Sequence, residues 1–169
     1  MNLLVTGGAG FIGSNVIHHV IDRPEVARLV NLDCLTYAGH LENLEKVCRH
    51  PKYVFEQADL RDKDAVLRVV KQHGITHVMH LAAESHVDRS ITGPGDFIHT
   101  NVVGTSVLLD AARRHGVRRF VQISTDEVYG SLGPEGIFTE LSPIDPSSPY
   151  SSSKAGADLL ALAFHKTYG

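Results

Sequence analysis

The chain has 169 residues, is 43% hydrophobic and carries a formal net charge of -3. This length suits one globular domain with a sizeable core and is too short for two domains of ordinary size. The small net charge argues against nucleic-acid binding, and the absence of an apolar run of roughly 18 residues argues against a membrane span.

Along the chain, short apolar segments alternate with segments of helical periodicity. The predicted strands are the apolar start of NLLVTGGAGFIGSNVIHHVI, then RLVNLD, YVFEQADL, THVMHLAA and RRFVQIST. The predicted helices are the second part of that first segment, then DAVLRVVKQH, NVVGTSVLLDAARRH and YSSSKAGADLLALAFHKTYG. The pattern weakens in CLTYAGHLENLEKVCRH, which predicts a loop with a short helix.

Apolar strands that alternate with amphipathic helices indicate an α/β fold with a doubly wound parallel sheet of the Rossmann type. We expect residues 1–169 to form a single domain of this kind. Cys34 and Cys48 lack a C-x-x-C spacing, and the N-terminus lacks a signal-peptide pattern. These features favour a cytoplasmic protein with free thiols.

A glycine-rich turn follows the first strand, with Gly7, Gly10 and Gly13 spaced as G-x-x-G-x-x-G. Missing side chains let a pyrophosphate approach the backbone N–H groups and the positive end of the following helix. Asp33 lies 20 residues after Gly13 at the end of the second strand, where a carboxylate accepts bonds from a ribose and repels a 2'-phosphate. The pattern therefore predicts NAD rather than NADP. Asp59, at the end of the third strand, is a weaker candidate for the adenine amino group, because such a residue is often only a turn or cap residue.

Tyr150 and Lys154 are four residues apart at the start of the last helix and therefore share a face. A lysine ammonium close to a phenol is expected to lower the tyrosine pKa and make it a general base. Thr125 follows the fifth strand, at the sheet edge where such folds bind ligands. The three residues predict an alcohol-oxidising site beside a nicotinamide.

Seven segments carry a resemblance to a known family: VTGGAGFIGSN, LDCLTYAGHLENL, ADLRD, HLAAESHVDRSI, TNVVGT, STDEVYG and PYSSSKAGAD. The chain resembles the extended short-chain dehydrogenase/reductase family, and within it the N-terminal half of the dTDP-glucose 4,6-dehydratases. Cys34 departs from the family pattern, which has a lysine or another polar residue there. The resemblance implies that the substrate is a nucleotide sugar contacted by Ser85 and Thr125. It also implies NAD contacts at Phe11, Ile12, Asp33, Cys34, Leu35, Thr36, Asp59, Leu60, Leu81, Ala82, Ala83, Glu84, Ser85, Thr100, Tyr150 and Lys154.

Two adjacent acids, Asp126 and Glu127, follow the fifth strand. The resemblance implies that Glu127 removes the C5 proton of the oxidised sugar, while Asp126 protonates the departing C6 hydroxyl. Related epimerases need only the tyrosine, the lysine and a hydroxyl, and they have small uncharged residues in place of the acids. The alternatives left open are an epimerase, a decarboxylase, GDP-mannose dehydration, and a non-catalytic NAD-binding module.

A complete Rossmann domain has a sixth strand after its last helix, and this chain stops at that helix. We therefore expect a chain truncated before its substrate lobe, with weak NAD binding and no turnover by itself. The base and the sugar of the nucleotide stay undetermined at this point. The histidines at 73, 77 and 80 are not expected to bind a metal, because the odd spacing puts the last two on opposite faces of a strand.

Two helices are apolar over more than a narrow stripe, which favours packing on the sheet for part of their surface. The family resemblance adds a homodimer in which these helices pair with their mates as a four-helix bundle. The residues concerned are Val102, Val103, Val107, Leu108, Leu109, Leu159, Leu160, Leu162 and Phe164.

Overall fold

The structure, a computed structural model, describes all residues from 1 to 169. The chain divides into two compact units. The first comprises Met1–Ala82 and Val107–Ile123, and the second comprises Ala83–Ser106 and Ser124–Gly169.

A five-stranded parallel sheet lies in the first unit, with the strand order β3-β2-β1-β4-β5. Strand order reverses between β1 and β4, which is the point where doubly wound sheets bind their ligands. The strands are β1 (Asn2–Thr6), β2 (Arg28–Asp33), β3 (Tyr53–Gln57), β4 (His77–His80) and β5 (Arg119–Gln122).

Six α-helices are present: α1 (Phe11–Val20), α2 (Lys63–Gln72), α3 (Val87–Thr92), α4 (Pro94–Phe97), α5 (Thr105–Arg114) and α6 (Pro149–Tyr168). A π-helix (Ile98–Gly104) connects α4 to α5, and 3₁₀ helices occupy Leu41–Leu44 and Asp126–Tyr129. The start of α6 is fixed by a capping box between Ser148 and Ser151, with a proline at the first helical position. None of the helices combines the length and the apolar character needed to cross a bilayer.

Helices cover both faces of the sheet, as a doubly wound fold requires. On one face Leu4 packs with Val69 of α2 and Leu108 of α5. On the other face Val5 packs with Ile17 of α1. All five side chains are fully buried, so the strands are apolar on both sides, and the predicted fold class is confirmed.

Three predicted strands are shorter in the structure. The segments predicted as 53–60, 76–83 and 118–125 pair with their neighbours only over 53–57, 77–80 and 119–122. For β4 and β5, pairing ends along one line, because β1 stops at its glycine turn and its last residue, Thr6, pairs with His80, which pairs in turn with Gln122. The third shortened strand, β3, ends at Gln57, which pairs with Asp33. The residues that follow the last paired residue of each strand leave the sheet, and several of the predicted functional residues lie at this carboxyl edge of the sheet.

The helical prediction was incomplete between residues 86 and 104. The sequence predicts one helix from Asn101, whereas the structure has α3 and α4 and then a π-helical turn that leads into α5. The 3₁₀ helix that carries the two acids was also missed. These elements are short or irregular, so they lack the periodicity on which a helix prediction depends.

Candidate functional site

The glycine turn between β1 and α1 leaves no room for side chains. Gly7 has φ +70°, and a Cβ there would lie 2.7 Å from the Cα of Ala82. A Cβ on Gly13 would lie 2.2 Å from the carbonyl oxygen of Gly7. The spacing read from the sequence therefore produces a backbone cradle, and the same packing also requires Gly8, which the sequence analysis did not single out.

Helix α1 begins beside this cradle without a side-chain cap. Gly10 occupies the cap position, it offers no side-chain acceptor, and the first turn contains no acidic residue. The first N–H groups of a helix have no partner within the helix, so here they are available to an anion. Phe11 and Ile12, the first two helical residues, are 82% and 60% exposed. These features fit the pyrophosphate of a dinucleotide.

Asp33 at the end of β2 links the glycine turn to the loop after β2 through two hydrogen bonds. Its Oδ2 accepts the N–H of Ala9 at 2.9 Å, and its Oδ1 accepts the N–H of Leu35 at 2.9 Å. Leu35 has φ +56°, a strained conformation for a leucine. Since a carboxylate can accept about four hydrogen bonds, acceptor positions are left over for ribose hydroxyls.

Asp59 is bound by a residue that the sequence analysis missed. Arg61 donates its backbone N–H and its Nε–H to Oδ1, and its Nη2 lies 2.6 Å from Oδ2. These bonds lower the pKa of Asp59. The predicted bond to an adenine amino group would have to share the carboxylate with this guanidinium.

Cys34 lies close to the charges of both carboxylates. The pKa of its thiol is raised by burial and then by Asp33 and Asp59. Both cysteines are free, as predicted, and both are exposed. Thr36 follows Leu35 in the loop after β2. The side chain of Leu60 is buried in the core, so only the backbone of Leu60 is placed to contact a cofactor. The side chains of Leu81 and Ala82 pack against the two core clusters in the same way.

The remaining predicted cofactor contacts, Ala83, Glu84, Ser85 and Thr100, belong to the second unit. Asn101, which is buried in the π-helix, holds this loop. Its Oδ1 accepts the N–H of Glu84 at 2.8 Å, and its Nδ2 donates to the Glu84 carbonyl at 2.9 Å. The same amide donates to Ser153 of α6 at 2.8 Å. No role was predicted for Asn101, although it lies within the family segment TNVVGT.

Tyr150 is held through its backbone on both sides. Its N–H donates to Ser90 of α3 at 3.1 Å, and its carbonyl accepts from Ser153 at 2.7 Å. The ring packs edge-on against Phe97 with a centroid separation of 6.4 Å. These contacts leave the residue 9% exposed and fix where the phenol can lie.

The acid pair stands on the short 3₁₀ helix that begins after Thr125. The threonine hydroxyl accepts the N–H of Glu127 at 3.3 Å and so caps this helix. Thr125 also forms a side-chain hydrogen bond with Tyr150. Asp126 is exposed and Glu127 is half-buried. All five predicted catalytic residues belong to the second unit.

The expected lowering of the tyrosine pKa is wrong for this structure. Burial raises the pKa of Tyr150, and the charges of Glu127 and Asp126 raise it further, against the opposing hydrogen bond from Thr125. Burial also lowers the pKa of Lys154, which is 5% exposed. The expectation rested on the lysine alone, whereas desolvation and the two acids also act on the phenol.

The three histidines each have a separate partner. His73 lies 2.7 Å from Glu56, His77 lies 2.9 Å from Thr76, and His80 lies 2.6 Å from Thr6. No group of three histidine, cysteine, aspartate or glutamate residues is placed to hold a metal ion.

A model of the GDP-mannose 4,6 dehydratase family matches residues 4–169. The chain belongs to this family. Among curated members, the dTDP-glucose 4,6-dehydratase of Neisseria meningitidis serogroup B is 54% identical over 99% of this chain and 50% of its own length.

Solved structures of other nucleotide-sugar enzymes superpose closely on this chain. The dTDP-glucose 4,6-dehydratase of Streptomyces venezuelae, solved with NAD bound, superposes with a TM-score of 0.95 at 49% identity, covering 100% of this chain and 53% of that one. The UDP-glucose 4-epimerase of Thermus thermophilus, in complex with NAD, superposes at 0.91 with 36% identity, covering 100% and 52%. The chain spans about half the length of the relatives it matches.

Proposed function

We propose that this chain is the cofactor-binding and catalytic portion of an NAD-dependent nucleotide-diphosphoglucose 4,6-dehydratase, a lyase whose substrate is dTDP-glucose. The observation that carries the proposal is the cluster of Thr125, Tyr150 and the two acids in one unit. The choice of dTDP-glucose rests on relatives of that name at 54% and 52% identity.

The glycine turn, the uncapped start of α1 and Asp33 would hold the dinucleotide. A nicotinamide cofactor, when bound, would accept a hydride from C4 of the sugar and return it to C6. Tyr150 takes the proton of the C4 hydroxyl as the ketone forms, and Lys154 and Thr125 hold the phenol in place. All of these residues would also serve an epimerase.

The acid pair is what separates dehydration from epimerisation. A C4 ketone acidifies the proton on C5, and Glu127 removes it as the C5–C6 double bond forms. Asp126 donates a proton to the C6 hydroxyl, which departs as water. Glu127 then returns its proton to C5, and the proton that Tyr150 took from the C4 hydroxyl makes up for the one that Asp126 gave to the departing water. The product is a 4-keto-6-deoxy sugar, and the net change is the loss of one water.

The proposal is tested by mixing the full chain, as its gene encodes it, with NAD and one nucleotide sugar at a time. The panel contains dTDP-glucose, UDP-glucose and GDP-mannose, and products are identified by mass spectrometry and proton NMR. We expect loss of one water from dTDP-glucose. Epimerisation without loss of water would support the epimerase instead. Turnover of GDP-mannose alone would show that the substrate is GDP-mannose rather than dTDP-glucose.

Two variants separate the chemical steps. Glu127→Gln is nearly isosteric and removes only the C5 base, so elimination should slow by roughly 10²–10⁴-fold while the absorbance of reduced nicotinamide builds up. Tyr150→Phe should block the first step and give no such absorbance. Elimination at the normal rate by Glu127→Gln would refute the assignment.

We also propose a homodimer and a cytoplasmic location. Val103, Leu159 and Leu162 are exposed apolar residues on the π-helix and α6, which suits a surface shared with a second copy. Leu108 and Leu109 are buried, so they belong to the part of these helices that packs on the sheet. Two exposed free thiols fit a reducing compartment.

A further inference from the structure

A loop leaves the 3₁₀ helix of the acid pair (Asp126–Tyr129) and returns to it. Gly130 ends this helix with φ +89°, a conformation that favours glycine, and a Cβ there would lie 2.5 Å from the carbonyl oxygen of Asp145. The N–H of Asp145 donates to the carbonyl of Val128 at 3.0 Å. The chain therefore closes on the helix around residues 131–144, which we call the return loop.

An aromatic pair joins the middle of the return loop to the same helix. From residue 131 to residue 141, every side chain is exposed except that of Phe138, which is partly buried. Its ring packs on the ring of Tyr129, with a centroid separation of 5.4 Å and an interplanar angle of 37°. By contrast, Ile137 and Leu141 are 81% and 94% exposed. Phe138 is therefore the residue in this stretch that is turned toward the helix.

The 3₁₀ helix depends on contacts outside itself for its orientation. It has only four residues, and the hydrogen bonds of a 3₁₀ turn have poorer geometry than those of an α-helix. Thr125 caps its start, and the aromatic pair is made by its last residue. Residues three apart eclipse one another in such a helix, so Tyr129 lies on the same side as Asp126. The return loop is therefore attached on the side that carries one of the two acids.

We propose that Phe138 is a positioning residue for the acid pair: its contact with Tyr129 holds the 3₁₀ helix in the orientation from which the acids serve the elimination step. Tyr150 lies on α6 and is held there by Ser90 and Ser153. The first step, oxidation at C4, therefore does not depend on the aromatic pair. This inference deepens the proposed function and rests on it for the kinetic part of its test.

The first measurement is hydrogen exchange of two backbone N–H groups, followed by NMR in the full chain without substrate. The N–H groups of Gly130 and Asp145 donate to carbonyls of the 3₁₀ helix at 3.2 and 3.0 Å, so they report on the attachment of the loop. In Phe138→Ala both should exchange roughly 2- to 10-fold faster, the effect of losing one aromatic pair. In Leu141→Ala, which truncates an exposed side chain of the same loop, exchange should not change. Equal exchange in Phe138→Ala and the wild type would overturn the proposal.

The second measurement follows the two chemical steps separately in the full chain with NAD and dTDP-glucose. In Phe138→Ala, stopped-flow absorbance should show reduced nicotinamide forming at the wild-type rate. Elimination should slow by roughly 10- to 100-fold, because a displacement of about 1 Å can cost 10²-fold in rate. Phe138→Tyr keeps the ring and should restore elimination, and Leu141→Ala should leave both steps unchanged. Equal slowing of both steps in Phe138→Ala would indicate a merely structural role, and normal elimination would show no role; either result contradicts the proposal.

A second variant covers the case in which Phe138→Ala does not fold. Phe138→Leu removes the ring and keeps an apolar side chain, and the same two effects are expected from it. Wild-type exchange and wild-type elimination in Phe138→Leu would then overturn the proposal.

The two measurements also separate this inference from the proposed function, because hydrogen exchange needs no substrate. Faster exchange in Phe138→Ala, in a protein that dehydrates no nucleotide sugar, would leave the attachment of the loop standing and refute the dehydratase. Dehydration by the wild type, with unchanged exchange and unchanged elimination in Phe138→Ala, would refute the positioning role and leave the dehydratase standing.

Discussion

Replacing Gly13 by alanine should disable the glycine turn through a clash with its own backbone. The new Cβ would lie 2.2 Å from the carbonyl oxygen of Gly7 and 2.7 Å from the Cα of Gly8. Both neighbours are backbone atoms of a turn that also abuts Ala82, so neither can rotate away. The turn must open by about an ångström to restore ordinary contact distances of about 3.5 Å.

The size of the effect follows from this geometry. Overpacking of this kind costs up to about 3 kcal/mol, which for a chain of this length corresponds to a decrease in Tm of about 6–12 °C. The opened turn also displaces the backbone N–H groups that would bind the pyrophosphate. Losing one hydrogen bond to a charged group weakens affinity by about 10- to 100-fold. Thermal unfolding and calorimetric titration with NAD measure the two effects separately.

Two other glycines serve as matched controls. A Cβ on Gly10 would lie 3.3 Å from the Gly7 oxygen, and Gly10 has φ -75°, so alanine should leave Tm nearly unchanged while reducing NAD affinity by blocking the approach of the pyrophosphate. Gly133 has no atom within 4 Å of its Cβ position, and alanine there should change neither property. Wild-type NAD affinity in Gly13→Ala would refute the cradle as a cofactor site.

Three further predictions concern single contacts. Asp33→Asn leaves one acceptor oxygen for the N–H groups of Ala9 and Leu35, so it should cost about 1–3 kcal/mol and narrow the preference for NAD over NADP. An unchanged ratio of the two affinities by calorimetry would remove Asp33 from the ribose site. The hydrogen bond from His73 lowers the pKa of Glu56 below 4.5, so its stabilisation is present above that pH and is lost as the pH falls through the lower folded-state value. Urea unfolding between about pH 5 and pH 3 should show a smaller loss in Glu56→Gln than in the wild type, and equal losses would contradict the link. Leu108→Ala should lower the free energy of unfolding by about 2–5 kcal/mol without changing the oligomeric state, because Leu108 is buried in the core. Glutamate at both Leu159 and Leu162 should dissociate the proposed homodimer in sedimentation experiments, and dissociation by Leu108→Ala alone would contradict this assignment.

The sequence predicted the parts of this protein that follow from period and spacing. The five strands, the glycine turn and the helix that carries Tyr150 and Lys154 have local patterns that can be read directly. Contacts that join distant segments have no such pattern. Asn101 meets Glu84 across 17 residues, and Ser90 meets Tyr150 across 60. The π-helix that presents Asn101 was also hidden, because its sequence resembles that of an ordinary helix.

The raised pKa of Tyr150 leads to a last prediction about the acid pair. In the proposed mechanism Glu127 removes the C5 proton of the substrate, yet its negative charge raises the pKa of Tyr150 and so disfavours the phenolate needed for the first step. The same residue therefore promotes the second step and hinders the first. Glu127→Gln removes that charge, so Tyr150 should lose its proton at lower pH than in the wild type. The acid limb for the appearance of reduced nicotinamide, measured by stopped-flow absorbance, should move to lower pH in Glu127→Gln even though elimination is slow. Val128→Ala, next to it on the same 3₁₀ helix, is a control that keeps both charges. An acid limb in the same place for Glu127→Gln and the wild type would show that the Glu127 charge does not reach the phenol.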